Sequence, residues 1–124
     1  MIAIPDLNDL IGKPYEFKGR GNPGYDCWGL VVEVHRRFGI SIPDYSVSAE
    51  SARDTSCHEQ FHEKISAEKS NTNLWKNLDV PEIPCIILLK AHLYFAQHVG
   101  VYVGYGRFIH SHYSFGINVD KTHD

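Results

Sequence analysis

Three residues with the chemistry needed for acyl transfer lie far apart in the chain: Cys27, His98 and His110. A cysteine thiolate is a strong nucleophile, and a histidine can accept the thiol proton and later deliver it to a leaving group. A second histidine can orient the first through its other ring nitrogen. If the fold brings the three side chains together, they form a Cys-His-His triad for covalent catalysis.

Cys27 stands at the start of the helix that the sequence predicts most clearly, over residues 26–38. Asp26 is a favourable N-cap, an apolar stripe runs along the segment, and Gly39 suits the position after the last turn. Unpaired backbone N–H groups and the positive end of the helix dipole meet at the first turn. Both favour the thiolate over the thiol, so we expect Cys27 to be a reactive cysteine.

The two histidines lie at the ends of neighbouring predicted strands. His98 opens a strand over residues 98–104, and His110 lies near the end of the return strand over residues 107–111, after a glycine-rich turn. In an antiparallel pair, such residues reach the same edge of the sheet and can approach each other. Two histidines that make ordinary hydrogen bonds at strand ends are the alternative interpretation.

The remaining pattern places helices first and an antiparallel meander after them, which predicts an α+β domain. Its other predicted elements are a short helix from Pro5 to Gly12, a loop over 13–25, a polar insertion over 46–79 with a helix over 56–69, and strands over 85–90 and 113–119.

Composition limits the possible functions. With 124 residues, 43% of them hydrophobic and 22% charged, the chain is predicted to form one globular domain over residues 1–124. Its net charge of -3 leaves no basic excess for binding nucleic acid through phosphates. No apolar run is long enough to span a membrane. The start of the chain does not resemble a secretion signal, so we expect synthesis in the cytoplasm.

The cysteine count favours reduced thiols. Three cysteines form an odd set, which is untypical of a secreted disulfide scaffold. Cys57 and Cys85 are interpreted as inert thiols, which leaves Cys27 as the candidate nucleophile.

Three segments together resemble the signatures of the NlpC/P60 family of cell-wall peptidases, which are papain-like cysteine peptidases. They are Asp26-Cys27-Trp28-Gly29-Leu30, His98-Val99-Gly100-Val101-Tyr102-Val103-Gly104 and Phe108-Ile109-His110-Ser111. Upstream, Gly12-Lys13-Pro14-Tyr15 resembles the family's Gly-x-Pro-Tyr motif. The resemblance spans residues 8–119.

The resemblance implies a role for each matching residue. Cys27 is the nucleophile, His98 the general base and acid, and His110 the orienting residue. Tyr15 lines the site and assists the oxyanion, together with the backbone N–H of Cys27. The candidate substrate and oxyanion residues around the nucleophile are Tyr15, Tyr25, Asp26 and Trp28.

The function implied by the resemblance is hydrolysis of peptidoglycan stem peptides at the bond between γ-D-glutamate and the diamino acid, without a cofactor or a metal. The run Cys27-Trp28-Gly29-Leu30, the segments 38–40 and 43–45, and Trp75 are similar to the phage and prophage branch associated with tail assembly. That branch implies phage tail proteins as partners and action in the periplasm or cell wall. The segment 81–85 departs from the family's Gly-Asp element, which keeps a catalytically silent tail-assembly subunit open as an alternative.

A second motif points to different chemistry. His58-Glu59-Gln60-Phe61-His62 is a literal His-Glu-x-x-His, which on a helix would place two imidazoles on one face for zinc, with Glu59 as a base. The segment is polar, and a zincin site needs a third ligand further downstream. A zinc hydrolase is therefore the weaker alternative, and a solvated surface helix is the expected structure.

Overall fold

The computed structural model describes residues 3–44, 64, 67–68, 75–76, 78–89, 98–112 and 114–122. The elements whose bounds lie within these residues are one helix followed by four strands, and the predicted change from helix to meander is confirmed. The elements are α1 (Cys27–Arg37), β1 (Cys85–Leu89), β2 (His98–Gly104), β3 (Arg107–His112) and β4 (Gly116–Lys121).

Both ends of α1 are held by the residues that the sequence indicates. The Asp26 side chain caps the first turn by accepting from the Gly29 N–H at 2.7 Å. At the other end Gly39 has φ +83, its N–H donates to the Arg36 carbonyl, and the Ile40 N–H donates to the His35 carbonyl. This pair of bonds is the Schellman motif, which needs a left-handed residue and so favours glycine.

The four strands form one antiparallel sheet in the order β1-β2-β3-β4. The turn between β2 and β3 uses Gly104, Tyr105 and Gly106, all with positive φ, as a tight connection of this kind requires. In the register of β2 and β3, Gly100 lies opposite His110. In the register of β3 and β4, Ser111 lies opposite Ile117.

The core lies between α1 and the sheet, because α1 packs against β2 and β3. Side chains alternate along a strand, so the residues of β2 and β3 that face α1 lie on the opposite side of the sheet from the histidines of these strands. The fully buried apolar residues that form this layer are Leu30, Val31, Val34, Val99, Val101, Ile109 and Ile117.

Two of the predicted helices are not confirmed by the structure. The helix expected from Pro5 to Gly12 is not confirmed, because the Leu10 N–H donates to Leu7 and the Ile11 N–H to Asn8, three residues back, in a series of turns. The helix expected over residues 56–69 lies almost entirely outside the described residues, as do His58, Glu59 and His62 of the zinc motif.

Candidate active site

The start of α1 is tied to the end of the sheet where β2 begins and β3 ends, and this end of the strands is called the sheet edge below. The Ser111 hydroxyl donates to the Tyr25 carbonyl at 2.7 Å, and both residues are buried. Ser111 follows His110, and continuing the observed register of β2 and β3 by one residue places it opposite Val99, the neighbour of His98. The segment that leads into Cys27 therefore lies against the same edge as the two histidines.

The motif containing Tyr15 reaches this edge as well. Lys13 and Ile117 are joined because the Ile117 N–H donates to the Lys13 carbonyl at 2.9 Å. Tyr15 and Tyr25 form an isolated bridge between their backbones. The loop before α1 is thus fixed on both sides of the strand end, and it brings the partly exposed Tyr15 into the neighbourhood of the helix start.

Cys27 is the first residue of α1, and its side chain is 1% exposed. Its own backbone N–H belongs to the first turn of the helix, where amide groups lack partners within the helix. Such a group can stabilise the oxyanion of a tetrahedral intermediate. The roles of Cys27 as nucleophile and of its N–H as oxyanion donor stay predictions.

An ion-pair network holds the loop on the helix start. Arg20 contacts the fully buried Asp26 at 2.6 Å and forms two hydrogen bonds with Asp44, at 2.7 and 2.9 Å. Burial disfavours the charged guanidinium, but the hydrogen bonds to Asp44 and Asp26 outweigh it and raise the pKa of Arg20. Asp26 therefore serves both the helix cap and the loop, and Arg20 is a positioning residue that the sequence did not reveal.

The two predicted histidines are in direct contact. Nε2 of His98 lies 2.7 Å from Nδ1 of His110, and the ring centroids are 4.9 Å apart in an edge-to-face arrangement. Gly100 explains the approach, because it faces His110 across the ladder and has no side chain to separate His110 from His98. A Cβ at position 100 would lie 3.2 Å from the His110 Cβ.

A carboxylate extends this contact into a chain of three groups. Nε2 of His110 lies 2.7 Å from Oδ2 of Asp120 on β4. The imidazole of His110 is buried, whereas the Asp120 side chain is 55% exposed. The site therefore contains a continuous line from His98 through His110 to an acidic side chain at the surface.

The environment keeps His98 neutral. Burial, followed by the neighbouring His110 and His112, lowers the pKa of His98 from 6.5 to about 3. The His112 ring lies 5.8 Å from that of His98, and burial with the adjacent His110 also lowers the pKa of His112. A neutral imidazole has one unprotonated ring nitrogen, so resting His98 has an acceptor that is not already occupied by a proton.

The remaining candidate residues occupy interior positions. Trp28 is 1% exposed and its Nε1 donates to the Pro43 carbonyl at 3.1 Å. Tyr25 is 8% exposed, and burial together with nearby Glu33 raises the pKa of its hydroxyl. The structure shows what these side chains do for the fold, and their contact with a substrate stays a prediction.

Asp120 and Ser111 complete the arrangement, and sequence reasoning assigned a role to neither. Their signal was the period-2 alternation of β3 and β4, which puts Asp120 diagonal to His110 and Ser111 on the helix side. The strand predicted over 113–119 ended one residue before Asp120.

The described residues contain neither a clustered metal site nor a helix that could span a membrane. Among the described residues, no group of three or more histidine, cysteine, aspartate or glutamate side chains is placed to hold a metal ion. None of the helices in the described ranges has the length and apolar character needed to cross a bilayer.

The family model of NlpC/P60 matches residues 12–71. The chain is 29% identical over 114 residues to the probable endopeptidase YafL and 32% identical over 112 residues to the murein DD-endopeptidase MepH, both from Escherichia coli strain K12. Each alignment covers 89% of this chain, but the chain spans only 38% and 35% of the two relatives.

A crystal structure of a NlpC/P60 family protein from Bacillus cereus has the same fold. The TM-score is 0.55 at 22% sequence identity, with 97% of this chain and 36% of that chain covered. The α+β class is therefore confirmed, the fold is shared with this NlpC/P60 protein, and the segment that holds Cys27 and its helix matches the NlpC/P60 family model.

Proposed function

We propose that this protein is a cysteine peptidase that hydrolyses amide bonds in the stem peptides of peptidoglycan, with Cys27 as nucleophile, His98 as base and His110 as orienting residue. The observation that carries the proposal is the 2.7 Å contact between His98 and His110 at the sheet edge to which the Ser111–Tyr25 hydrogen bond ties the start of α1. The NlpC/P60 match and the two endopeptidase relatives support the substrate class.

The reaction follows from the residues at this edge. The Cys27 Sγ–H gives its proton to Nδ1 of His98 as the sulfur attacks the carbonyl carbon, and backbone N–H groups at the helix start stabilise the oxyanion. The C–N bond then breaks as the His98 imidazolium protonates the leaving amine. Water, deprotonated by His98, hydrolyses the thioester and releases Cys27.

The proposed bond is that between γ-D-glutamate and the diamino acid, which the motif resemblance supports. We also infer a phage or prophage tail association from Cys27-Trp28-Gly29-Leu30 and segments 38–40 and 43–45, with delivery to the cell wall as part of a particle. The chain would then be made in the cytoplasm and act in the periplasm or cell wall.

The test is digestion of purified peptidoglycan, with the soluble muropeptides identified by mass spectrometry. Cys27→Ala should abolish cleavage, whereas Cys85→Ala should retain it. Cys85 is a matched control because it is a half-buried cysteine on β1, and burial raises the pKa of its thiol. Equal product from wild type and Cys27→Ala would refute Cys27 as the nucleophile, and no product from either protein would favour the silent tail subunit.

A further inference from the structure

We propose that Asp120 is a positioning residue that sets the direction of the hydrogen bonds through His110 and His98, so that Nδ1 of His98 is the unprotonated nitrogen. The inference rests on the proposed function, because that nitrogen is the one that would take the proton of Cys27. It concerns a residue outside the proposed triad, on the last described strand.

The first step is the contact between Asp120 and His110. A carboxylate carries no proton and can only accept hydrogen bonds. Because Oδ2 of Asp120 lies 2.7 Å from Nε2 of His110, that nitrogen must carry the hydrogen and donate it. In the neutral form of His110 this contact fixes the Nε2–H tautomer, whose Nδ1 has a lone pair.

The second step passes this choice to His98. In this tautomer Nδ1 of His110 can only accept, and it lies 2.7 Å from Nε2 of His98. Nε2 of His98 must therefore be the donor, which leaves Nδ1 of neutral His98 without a proton. That nitrogen is a base, whereas an Nδ1–H would be unable to accept anything.

The carboxylate is needed because two imidazoles in contact do not select a direction by themselves. With the hydrogen bond reversed, His110 donates from Nδ1, His98 accepts at Nε2, and the proton of His98 sits on Nδ1. The reversed chain leaves Nε2 of His110 as an acceptor facing a carboxylate acceptor, which is repulsive. Asp120 thus excludes the unreactive arrangement.

Other groups around the pair do not supply this selection. His112 lies edge-on to both rings, with centroids 5.8 Å from His98 and 6.3 Å from His110. Phe108 covers His110 at a centroid distance of 4.7 Å and has no hydrogen-bonding group. In the described part of the site, Asp120 is the anionic group bonded to this pair.

The experiment measures tautomers directly in the full chain. Histidines are labelled with ¹⁵N, and long-range ¹H–¹⁵N spectra at neutral pH identify which ring nitrogens of His98 and His110 carry hydrogen. Signals are assigned from the loss of one spin system in His98→Gln and in His110→Gln. We expect an Nε2–H tautomer for both rings in the wild type and a mixture of tautomers in Asp120→Ala.

The variants are chosen to separate tautomer control from charge and folding. Asp120 is 55% exposed, so its truncation leaves no core cavity. Asp79→Ala removes the same charge from another exposed position and should keep the wild-type tautomers. Asp120→Glu keeps a carboxylate and should restore the tautomers at least in part. With a peptidoglycan peptide, Asp120→Ala should lower kcat by roughly 10–100-fold with little change in KM, because an orienting partner acts through the base.

Two results would overturn the inference: unchanged tautomers in folded Asp120→Ala, or a kcat equal to that of Asp79→Ala in an active enzyme. Failure of the proposed function gives a different pattern. If the wild type cleaves no peptidoglycan, the spectra still decide whether Asp120 controls the two imidazoles, because they require no turnover.

Discussion

Gly29 is a position where adding a single methyl group should damage the proposed site. It lies in the first turn of α1, and its N–H donates to the capping carboxylate of Asp26. A Cβ on Gly29 would overlap the carbonyl oxygen of Gly19 and lie 3.0 Å from Oδ1 of Asp26. The alanine variant therefore forces apart the loop and the helix that together position Cys27.

The expected cost follows from three contributions. Inserting a methyl group into a closely packed site costs about 1–3 kcal/mol, and each hydrogen bond lost adds about 1 kcal/mol. The bond at risk is that from the Asp26 N–H to the Gly19 carbonyl, at 3.2 Å. Alanine recovers about 1 kcal/mol from its higher helix propensity. The net loss is about 1–3 kcal/mol, which for this size of chain lowers Tm by about 4 °C per kcal/mol.

The effect on catalysis should exceed the effect on folding. A displacement of about 1 Å at a nucleophile can cost about 10²-fold in rate. We expect Gly29→Ala to remain folded at 25 °C and to lose at least about 10-fold in kcat on a peptidoglycan peptide. Tm by calorimetry and kcat by product release measure the two effects separately.

Gly21→Ala is the matched control. It lies in the same loop, has no atom within 4 Å of its added Cβ, and does not require positive φ. Its stability should be unchanged or higher by about 0.4–1 kcal/mol, because alanine restricts the unfolded chain. If Gly29→Ala matched Gly21→Ala in both Tm and kcat, the close approach of loop and helix would not be what positions Cys27.

Three further predictions concern the sheet edge. Folding lowers the pKa of His98 from 6.5 to about 3. Between these two pH values the imidazole is protonated in the unfolded chain but not in the folded one. The free energy of unfolding should therefore fall as the pH drops below 6.5. The loss should reach about 2 kcal/mol at pH 5 in denaturant unfolding, and His98→Gln should show a shallower dependence. A wild-type profile as flat as that of His98→Gln would contradict this. Ser111→Ala removes a buried hydrogen bond and should cost about 1–2 kcal/mol in urea unfolding, whereas Ser114→Ala, at an exposed position, should cost almost nothing. Equal losses in the two serine variants would show that the bond does not hold the edge. Gly100→Ala should push His110 away from His98, so we expect a fall in kcat larger than the change in Tm would explain. Unaltered kinetics would refute the argument that the missing side chain at position 100 allows the two histidines to touch.

The predictable parts of the fold are those with local signals. The helix predicted over 26–38 is observed as Cys27–Arg37, because the cap, the apolar stripe and Gly39 are all encoded within the segment. The strand predicted over 98–104 is observed with the same bounds. By contrast, the segment from Pro5 to Gly12 has helix-compatible ends but is too short to offset the cost of nucleation, and it forms turns.

The site was less predictable than the fold, for geometric reasons. The residue types of the proposed triad are visible in the sequence, but the bond between Ser111 and Tyr25 joins residues 86 positions apart. Predicting Asp120 as the partner of His110 requires the correct end of β4. The observed strand runs to Lys121, whereas the predicted strand ends at residue 119. A boundary difference of this size is ordinary for strands, and here it separates a strand that includes Asp120 from one that ends before it.

The charge balance of the site explains why an acidic residue belongs in it. Burial and the two neighbouring histidines disfavour a positive charge on His98, yet the proposed reaction requires the imidazolium of His98 when the tetrahedral intermediate forms. The imidazolium keeps its Nε2–H bond to His110, so the charge remains in line with the Asp120 carboxylate. Asp120 therefore holds His110 in the orientation that accepts this bond, in the neutral resting form of His98 and in its charged form alike.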